Sequence, residues 1–234
     1  MKNVRIPLAA LALAMVLAGC KKEETGEPDL GLGYFPNVIG SWIEYQVDSI
    51  GRDDDAGFHD TVSYRLKEKV IEAFYDPQGR LAYRIHRMVH NSDSAWVVRD
   101  VWTRAVSNSA AETTEENLRR LKMSFPVAAG RIWDMNVYNV EDAQELTHRE
   151  IGISYTVNGL SFAKTTLVEG TFESNFVDTL IFQERYAEGI GMISKKTQDT
   201  NTQLYYPPGI PPPPPEFRTK GAYLTMSIVA YGNE

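Results

Sequence analysis

Apolar and polar residues alternate along several stretches of this chain. The clearest row has apolar side chains at every second position, Ala222, Leu224, Met226, Ile228 and Ala230. Similar rows begin at Ile43, Val62, Leu81 and Ile151. A period of two residues is typical of strands that bury one face and expose the other. The pattern therefore predicts a sheet with one side against a core.

Turn sequences separate these rows, at 51–57, 76–79, 158–159 and 169–170. Such short connections allow hairpins but leave no room for helices that cross between parallel strands. We therefore predict an all-β, mainly antiparallel fold: a single curved sheet, half-barrel or barrel-like, with at most one or two short helices. One helix is predicted at 114–122, where Thr113 and Glu116 fit a capping box and Leu118 and Leu121 share a face.

The first residues have the composition of an export signal. Lys2 and Arg5 precede an apolar run over 6–18, which is shorter than the roughly 20 residues a membrane-spanning helix needs. The tetrapeptide 17–20, Leu-Ala-Gly-Cys, resembles the lipobox of bacterial lipoproteins. The resemblance implies that Cys20 carries acyl chains such as palmitate, begins the mature protein and holds it on a lipid bilayer. An ordinary secretory signal with an incidental cysteine is the alternative.

The residues after Cys20 refine the predicted location. Lys21 stands where the inner-membrane retention signal has aspartate, so we predict a lipid anchor in the bacterial outer membrane. The cluster 21–24, Lys-Lys-Glu-Glu, resembles the export signal of surface lipoproteins in Bacteroidetes, although a solvated linker has the same composition. The predicted organisation is a signal peptide over 1–19, an acidic flexible tether over 20–33, and one antiparallel β domain over 34–234 with a proline-rich loop at 207–215.

Three short motifs resemble a group of uncharacterised Bacteroidetes lipoproteins. They are FPNVIGSW at 35–42, FPVAAGRIW at 125–133 and YAEGIGMI at 186–193. The resemblance implies an antiparallel β fold, like the half-barrels of periplasmic lipoprotein carriers, and carries over no catalytic residue. The two Phe-Pro motifs indicate either duplicated halves or convergent chemistry at the start of a strand, and the second interpretation is preferred because little else aligns. Gly189 and Gly191 would allow a bend or bulge.

Composition limits the function classes. The chain is 43% hydrophobic and 24% charged, which is typical of a folded domain. Its single cysteine, Cys20, excludes an intramolecular disulfide and a cysteine-rich zinc site. The net charge is -7, and loss of Lys2 and Arg5 with the signal peptide would make it more negative. An acidic surface disfavours nucleic acid, so we predict no nucleic-acid partner.

Few residues indicate a reaction. His86 and His90 share a face of one predicted strand, and a zinc site would need a third ligand such as His59; two exposed histidines are the simpler interpretation. The aspartates at 53–55 do not match the EF-hand spacing, which favours a solvated hairpin tip over a calcium site. No Gly-x-Ser-x-Gly motif, cysteine–histidine pair or phosphate loop is present. We predict no catalytic residue, no metal ligand and no cofactor.

Three function classes stay open. The first is a binding module that holds a hydrophobic or glycan ligand, or an envelope protein, on a concave aromatic-rich face. The second is an accessory component of an outer-membrane assembly. The prolines at 211–215 form a stiff rod that would either dock on such a partner or act as a rigid spacer. A hydrolase is the least supported class, because nothing in the sequence selects a nucleophile.

Overall fold

The computed structural model describes residues 28–91, 95–170 and 173–234, so the predicted signal peptide and Cys20 lie outside the described residues. One sheet holds all the strands of the described part of the chain, which confirms the all-β antiparallel prediction. The strands are β1 (Ser41–Asp53), β2 (Phe58–Tyr75), β3 (Leu81–His90), β4 (Trp96–Val106), β5 (Ala110–Glu115), β6 (Leu118–Ser124), β7 (Ile132–Asp134), β8 (Glu145–Val157), β9 (Leu160–Gly170), β10 (Glu173–Ser174), β11 (Asp178–Ala187), β12 (Gly191–Tyr205) and β13 (Glu216–Asn233).

The sheet is a meander that curls into a nearly closed barrel. Its strand order is β6-β5-β4-β3-β2-β1-β13-β12-β11-β9-β8-β7, with the short β10 pairing only with β11. The first and last strands therefore lie side by side in the wall. The two ends of the path, β6 and β7, meet at a seam. There Leu121 N donates to Met135 O at 2.8 Å, and the Trp133 indole donates to Leu121 O at 3.0 Å.

Helical structure is confined, in the described ranges, to one 3-10 turn at Leu32–Tyr34. Within those ranges no helix has the length and apolarity to cross a membrane. Leu32 and Gly33 of the 3-10 turn belong to the segment predicted as a tether. Leu30 O accepts a hydrogen bond from Val127 N at 3.0 Å, and Leu32 packs against the core. The folded domain thus begins before residue 34.

The helix predicted at 114–122 is wrong, because this segment forms the hairpin of β5 and β6. Glu116 and Asn117 have φ angles of 48° and 66°, and two successive positive φ values are typical of the tight type I′ turn. The buried side chains on both sides stabilise the strands: Thr113 is buried in β5 and Leu121 in β6. A segment this short contains too few repeats of the apolar pattern to distinguish a helix from a hairpin. Packing against the rest of the barrel therefore determines which of the two forms.

The barrel interior holds two clusters of buried apolar side chains. The first lies near the seam and includes Tyr34, Phe35, Phe125, Met123, Trp133, Leu146 and Tyr186. The second lies against β1 and β13 and includes Tyr45, Val47, Leu66, Ile193 and Ile228. Tyr45 is fully buried and donates its hydroxyl to Met192 O at 2.9 Å. The rows predicted from Ile43 and from Ala222 supply buried members of the second cluster.

The longest strands extend past this core to one end of the barrel, which we call the apex. The apex consists of the hairpin turn at 54–57, the turn at 175–177 and the loop 206–215 between β12 and β13. Phe176 and Ile210 are exposed there, as is Phe217 at the start of β13, directly after the loop. The N-terminal turn lies at the opposite end, since Gly189 N, beside the first residues of β12, donates to Gly33 O at 2.8 Å.

Candidate functional site

A cavity of about 130 Å³ lies inside the barrel between the two apolar clusters. Its unusual feature is the number of charged side chains in its wall. Seven strands each contribute one, and they are Glu68, Arg87, Arg104, Glu115, Lys122, Glu184 and Lys195. Buried charges are costly unless they are paired. The pairing therefore determines what this cavity can do.

One group of charges centres on the carboxylate of Glu68, which is buried. Arg87 donates to Glu68 Oε1 at 3.1 Å, and Arg104 donates to the other oxygen, Oε2, at 2.5 Å. Arg87 also reaches Asp100 at 3.2 Å and lies over the ring of Trp102, 3.7 Å from its centre. Both oxygens of Glu68 thus accept hydrogen bonds, and the Arg87 guanidinium contacts two carboxylates and one aromatic ring.

The second group centres on Glu184, which is fully buried. Lys122 Nζ lies 2.6 Å and Lys195 Nζ lies 3.0 Å from the same oxygen, Oε1. The hydroxyl of Tyr186 donates to Oε2 at 2.6 Å. Lys122 is also 3.2 Å from Glu115 Oε1. Glu184 therefore joins strands on both sides of the seam through one carboxylate.

These contacts keep the second group charged. Burial raises the pKa of Glu184, but Lys122 and Lys195 outweigh burial and lower it to about 2. Burial likewise raises the pKa of Glu115, but the same two lysines outweigh burial and lower this pKa below its ordinary value. For Lys122 burial lowers the pKa, but Glu115 and Glu184 raise it above its ordinary value. Burial and then Glu184 raise the pKa of Tyr186 well above 10.0.

This chemistry suits binding better than proton transfer. A general acid or base works best when its pKa lies near the working pH, whereas the pKa of Glu184 is about 2 and that of Tyr186 is raised well above 10.0. The wall has four cations and three carboxylates, so its net charge is +1. Apolar side chains complete it: Phe35, Pro36, Trp102, Met192, Leu224 and Met226. The cavity thus offers both hydrogen-bond donors and an apolar surface.

Two of the three sequence motifs line this cavity. Phe35 and Pro36 of the first motif line it, as do Tyr186 and Gly191 of the third. The rings of Phe35 and Tyr186 are 5.7 Å apart. Phe125 of the second motif packs in the same apolar cluster. Gly191 has a φ of 105° at the start of β12, next to a register shift in β11, so the expected bend falls at the cavity wall.

The histidines considered as zinc ligands lie apart. His86, in β3, lies opposite Lys69 of β2. His59 is also in β2, ten residues before Lys69. At about 3.3 Å per residue this separation is about 33 Å. His90 stacks on Trp96, with ring centres 4.0 Å apart. His59 therefore lies too far away to be the third ligand beside His86, and of the two strand histidines His90 is exposed whereas His86 is half-buried.

The aspartates at 53–55 form ion pairs with basic side chains at the apex. Asp53 contacts Lys220 at 2.9 Å, and Asp55 contacts Arg218 at 2.7 Å. Asp54 contacts Arg52 at 2.7 Å and accepts the backbone N–H of Thr219 at the same distance. Across the described ranges, no group of three or more histidine, cysteine, aspartate or glutamate side chains could hold a metal ion. The residues form a hairpin tip.

The sequence predictions did not include the charged cavity residues, although the apolar rows of the sequence indicate which charges face inward. Glu68 lies in phase with the apolar row of Leu66 and Val70, and Arg87 lies in phase with Ile85 and Val89. The same holds for Glu184 between Phe182 and Tyr186. A charged residue at the phase of a buried row is costly unless it has a partner inside. Several such residues on different strands indicate an internal ionic site.

A second cavity, of about 240 Å³, opens beside the seam between β6 and β7. It is lined by Arg120, Met135, Gln144 and Phe182, together with three residues of the first cavity, Glu115, Lys122 and Lys195. These three side chains therefore form the partition between the seam and the barrel interior. The loop 135–144 covers the seam, held by Arg120, which donates to Asn136 Oδ1 at 2.8 Å.

Comparisons with known proteins add no functional assignment. The chain matches no protein-family model and no curated protein sequence. Among solved structures it is similar to a "putative exported protein with YmcC-like fold" from Bacteroides fragilis, with 12% sequence identity over 85% of this chain and 98% of that chain, and a TM-score of 0.39.

Proposed function

We propose that this chain is a lipid-anchored envelope protein that binds a small ligand inside its barrel. The observation that carries the proposal is the internal cavity, because it places seven charged side chains from seven strands around a space of about 130 Å³. Ligand sites in proteins combine an apolar wall with a few convergent polar groups. The lining favours a ligand that has both a polar and an apolar part.

The cavity size limits the ligand. A dry protein cavity of roughly 150 Å³ accommodates benzene, and this one is about 130 Å³. A single ring or a short acyl segment therefore fills it, and a larger ligand would extend toward the seam cavity of about 240 Å³. Phe35 and Pro36 lie against the ligand space, so the N-terminal segment itself forms part of the site.

A cavity-filling variant tests ligand binding. Leu224 lines the cavity, whereas its neighbour Thr225 points to the opposite face of β13. We expect phenyl fragments to give saturation-transfer NMR signals with the mature protein and with Thr225→Trp, and to lose them with Leu224→Trp, because the indole occupies the space. Melting temperatures confirm that both variants fold. Absence of binding by every fragment, or unchanged signals with Leu224→Trp, contradicts the proposal.

The lipid anchor is proposed from the sequence around Cys20. Replacement of the thiol by a hydroxyl removes the acceptor for the acyl chains, and the predicted cleavage before residue 20 requires the lipidated cysteine. We expect Cys20→Ser to accumulate as the uncleaved precursor, with the mass of residues 1–19 retained, and to carry no lipid in intact-mass spectrometry. Ser49→Ala, in the middle of β1, is the control and should be processed normally. Normal cleavage of Cys20→Ser would favour an ordinary secretory signal.

A further inference from the structure

We infer that the ligand is a small carboxylate with an apolar body, and that Lys195 is the cation that binds its carboxylate group. This inference rests on the proposed ligand-binding function and specifies the chemical class of the ligand. The ligand class is inferred from the cations that line the seam cavity and the barrel interior, because the chain as a whole is acidic.

The first argument is the local charge. The whole chain has a net charge of -7, yet the two cavities together are lined by five cations and three carboxylates. The cations are Arg87, Arg104, Arg120, Lys122 and Lys195, and the carboxylates are Glu68, Glu115 and Glu184. A concave site of opposite sign to its surroundings concentrates ligands of the complementary charge. An anion is therefore favoured over a cation.

The second argument is the unequal pairing of the two lysines. Lys122 is 6% exposed and contacts two carboxylates, Glu115 at 3.2 Å and Glu184 at 2.6 Å. Lys195 is 19% exposed, and among the described residues Glu184 is the only acid whose carboxylate lies within 4.0 Å of its Nζ. An ammonium group has three donors. Lys195 can thus keep its contact with Glu184 and still donate to a ligand, whereas Lys122 is already shared between two acids.

The third argument is the apolar part of the cavity wall. Phe35, Met192 and Met226 line the same cavity as Lys195. Ligand pockets are lined mainly by apolar side chains with a few polar groups that fix orientation. This wall therefore suits a ring or acyl chain rather than a second charge.

Matched ligands of different charge test the inference. Phenylacetate, phenylacetamide and phenethylamine share one ring and differ in their polar group. A charge-assisted hydrogen bond is roughly twice as strong as a neutral one, so we expect calorimetry or NMR titration to show phenylacetate binding about tenfold more tightly than phenylacetamide. The amine should bind more weakly than both. Added salt should weaken only the carboxylate.

Two neighbouring lysines provide the matched variants. Lys195 faces the cavity, whereas Lys196 points to the other side of β12, toward the ring of Tyr223 at 5.9 Å. With Lys195→Met the preference for carboxylate over amide should fall to within about twofold, with Lys196→Met it should persist, and Lys195→Arg should restore part of it. Melting curves identify any variant that fails to fold, in which case Lys195→Gln replaces Lys195→Met.

The outcomes separate the two proposals. Equal binding of phenylacetamide and phenylacetate, lost in Leu224→Trp, overturns the carboxylate inference but supports an internal ligand site. Tighter binding of the amine, or a carboxylate preference that persists in a folded Lys195 variant, also overturns the inference. If none of the three fragments binds, the proposed function itself fails.

Discussion

Replacing Glu184 by leucine should cost about 3–5 kcal/mol of unfolding free energy, because removal of one partner leaves buried charge uncompensated. Lys195 would lose the carboxylate that lies 3.0 Å from its Nζ, and Lys122 would keep only Glu115. The hydroxyl of Tyr186 would also lose its acceptor. Urea unfolding followed by tryptophan fluorescence measures the loss as a lower midpoint at unchanged slope.

The control is an exposed ion pair of the same kind. Glu72 and Arg84 pair across β2 and β3 with their side chains 48% and 44% exposed, so Glu72→Leu should change stability by less than about 1 kcal/mol. A loss in Glu184→Leu no larger than in Glu72→Leu would show that the internal charges are solvated and contribute little.

The same carboxylate predicts a dependence of stability on pH. Because its lysine neighbours outweigh burial and lower the pKa of Glu184 from 4.5 to about 2 in the folded state, the folded form binds this proton less readily than the unfolded form. The contribution to stability is fully present above pH 4.5 and is lost as the pH falls toward 2. It amounts to about 3 kcal/mol. Glu184→Leu should therefore flatten the pH dependence of unfolding in this range.

The second large effect is expected at the second Phe-Pro motif. Phe125 is 1% exposed and packs in the apolar cluster with Phe35 and Tyr186, so Phe125→Ala should cost about 3–5 kcal/mol by leaving a cavity. The equivalent change at the apex, Phe217→Ala, removes a ring that is 72% exposed and should cost less than about 0.5 kcal/mol. Equilibrium unfolding of the two variants gives the comparison. Similar losses would mean that the apex is packed in solution.

Local patterns predicted much of this fold. Ile43, Tyr45 and Val47 alternate in the sequence and are all buried on one side of β1, because a half-buried strand requires that period. The hairpin of β5 and β6 was mistaken for a helix because Thr113 and Glu116 also satisfy the capping-box spacing. The hairpin is favoured by the burial of Thr113 and Leu121, which depends on distant strands, and by the turn at Glu116 and Asn117.

The candidate site was less predictable, for a physical reason. The partners of Glu184 are Lys122 and Lys195, and sequence separation gives no measure of how close Lys122 comes to Glu184 once the barrel closes. Most charged residues are solvated at the surface, so residue type alone does not indicate a buried site. The phase of a charge within an apolar row shows that it faces inward, but the identity of its partner depends on the pairing of strands across the whole wall.

The pairing of β1 with β13 also affects how the chain reaches its folded state. Ser41 lies opposite Asn233, so one side of β1 has no neighbour until the residues of β13 are available. An unpaired strand edge is a site of aggregation, and contacts this distant in sequence form slowly. A chain that is synthesised from its N-terminus onward therefore passes through a stage with β1 open, and a chaperone that binds extended strands would act at that stage.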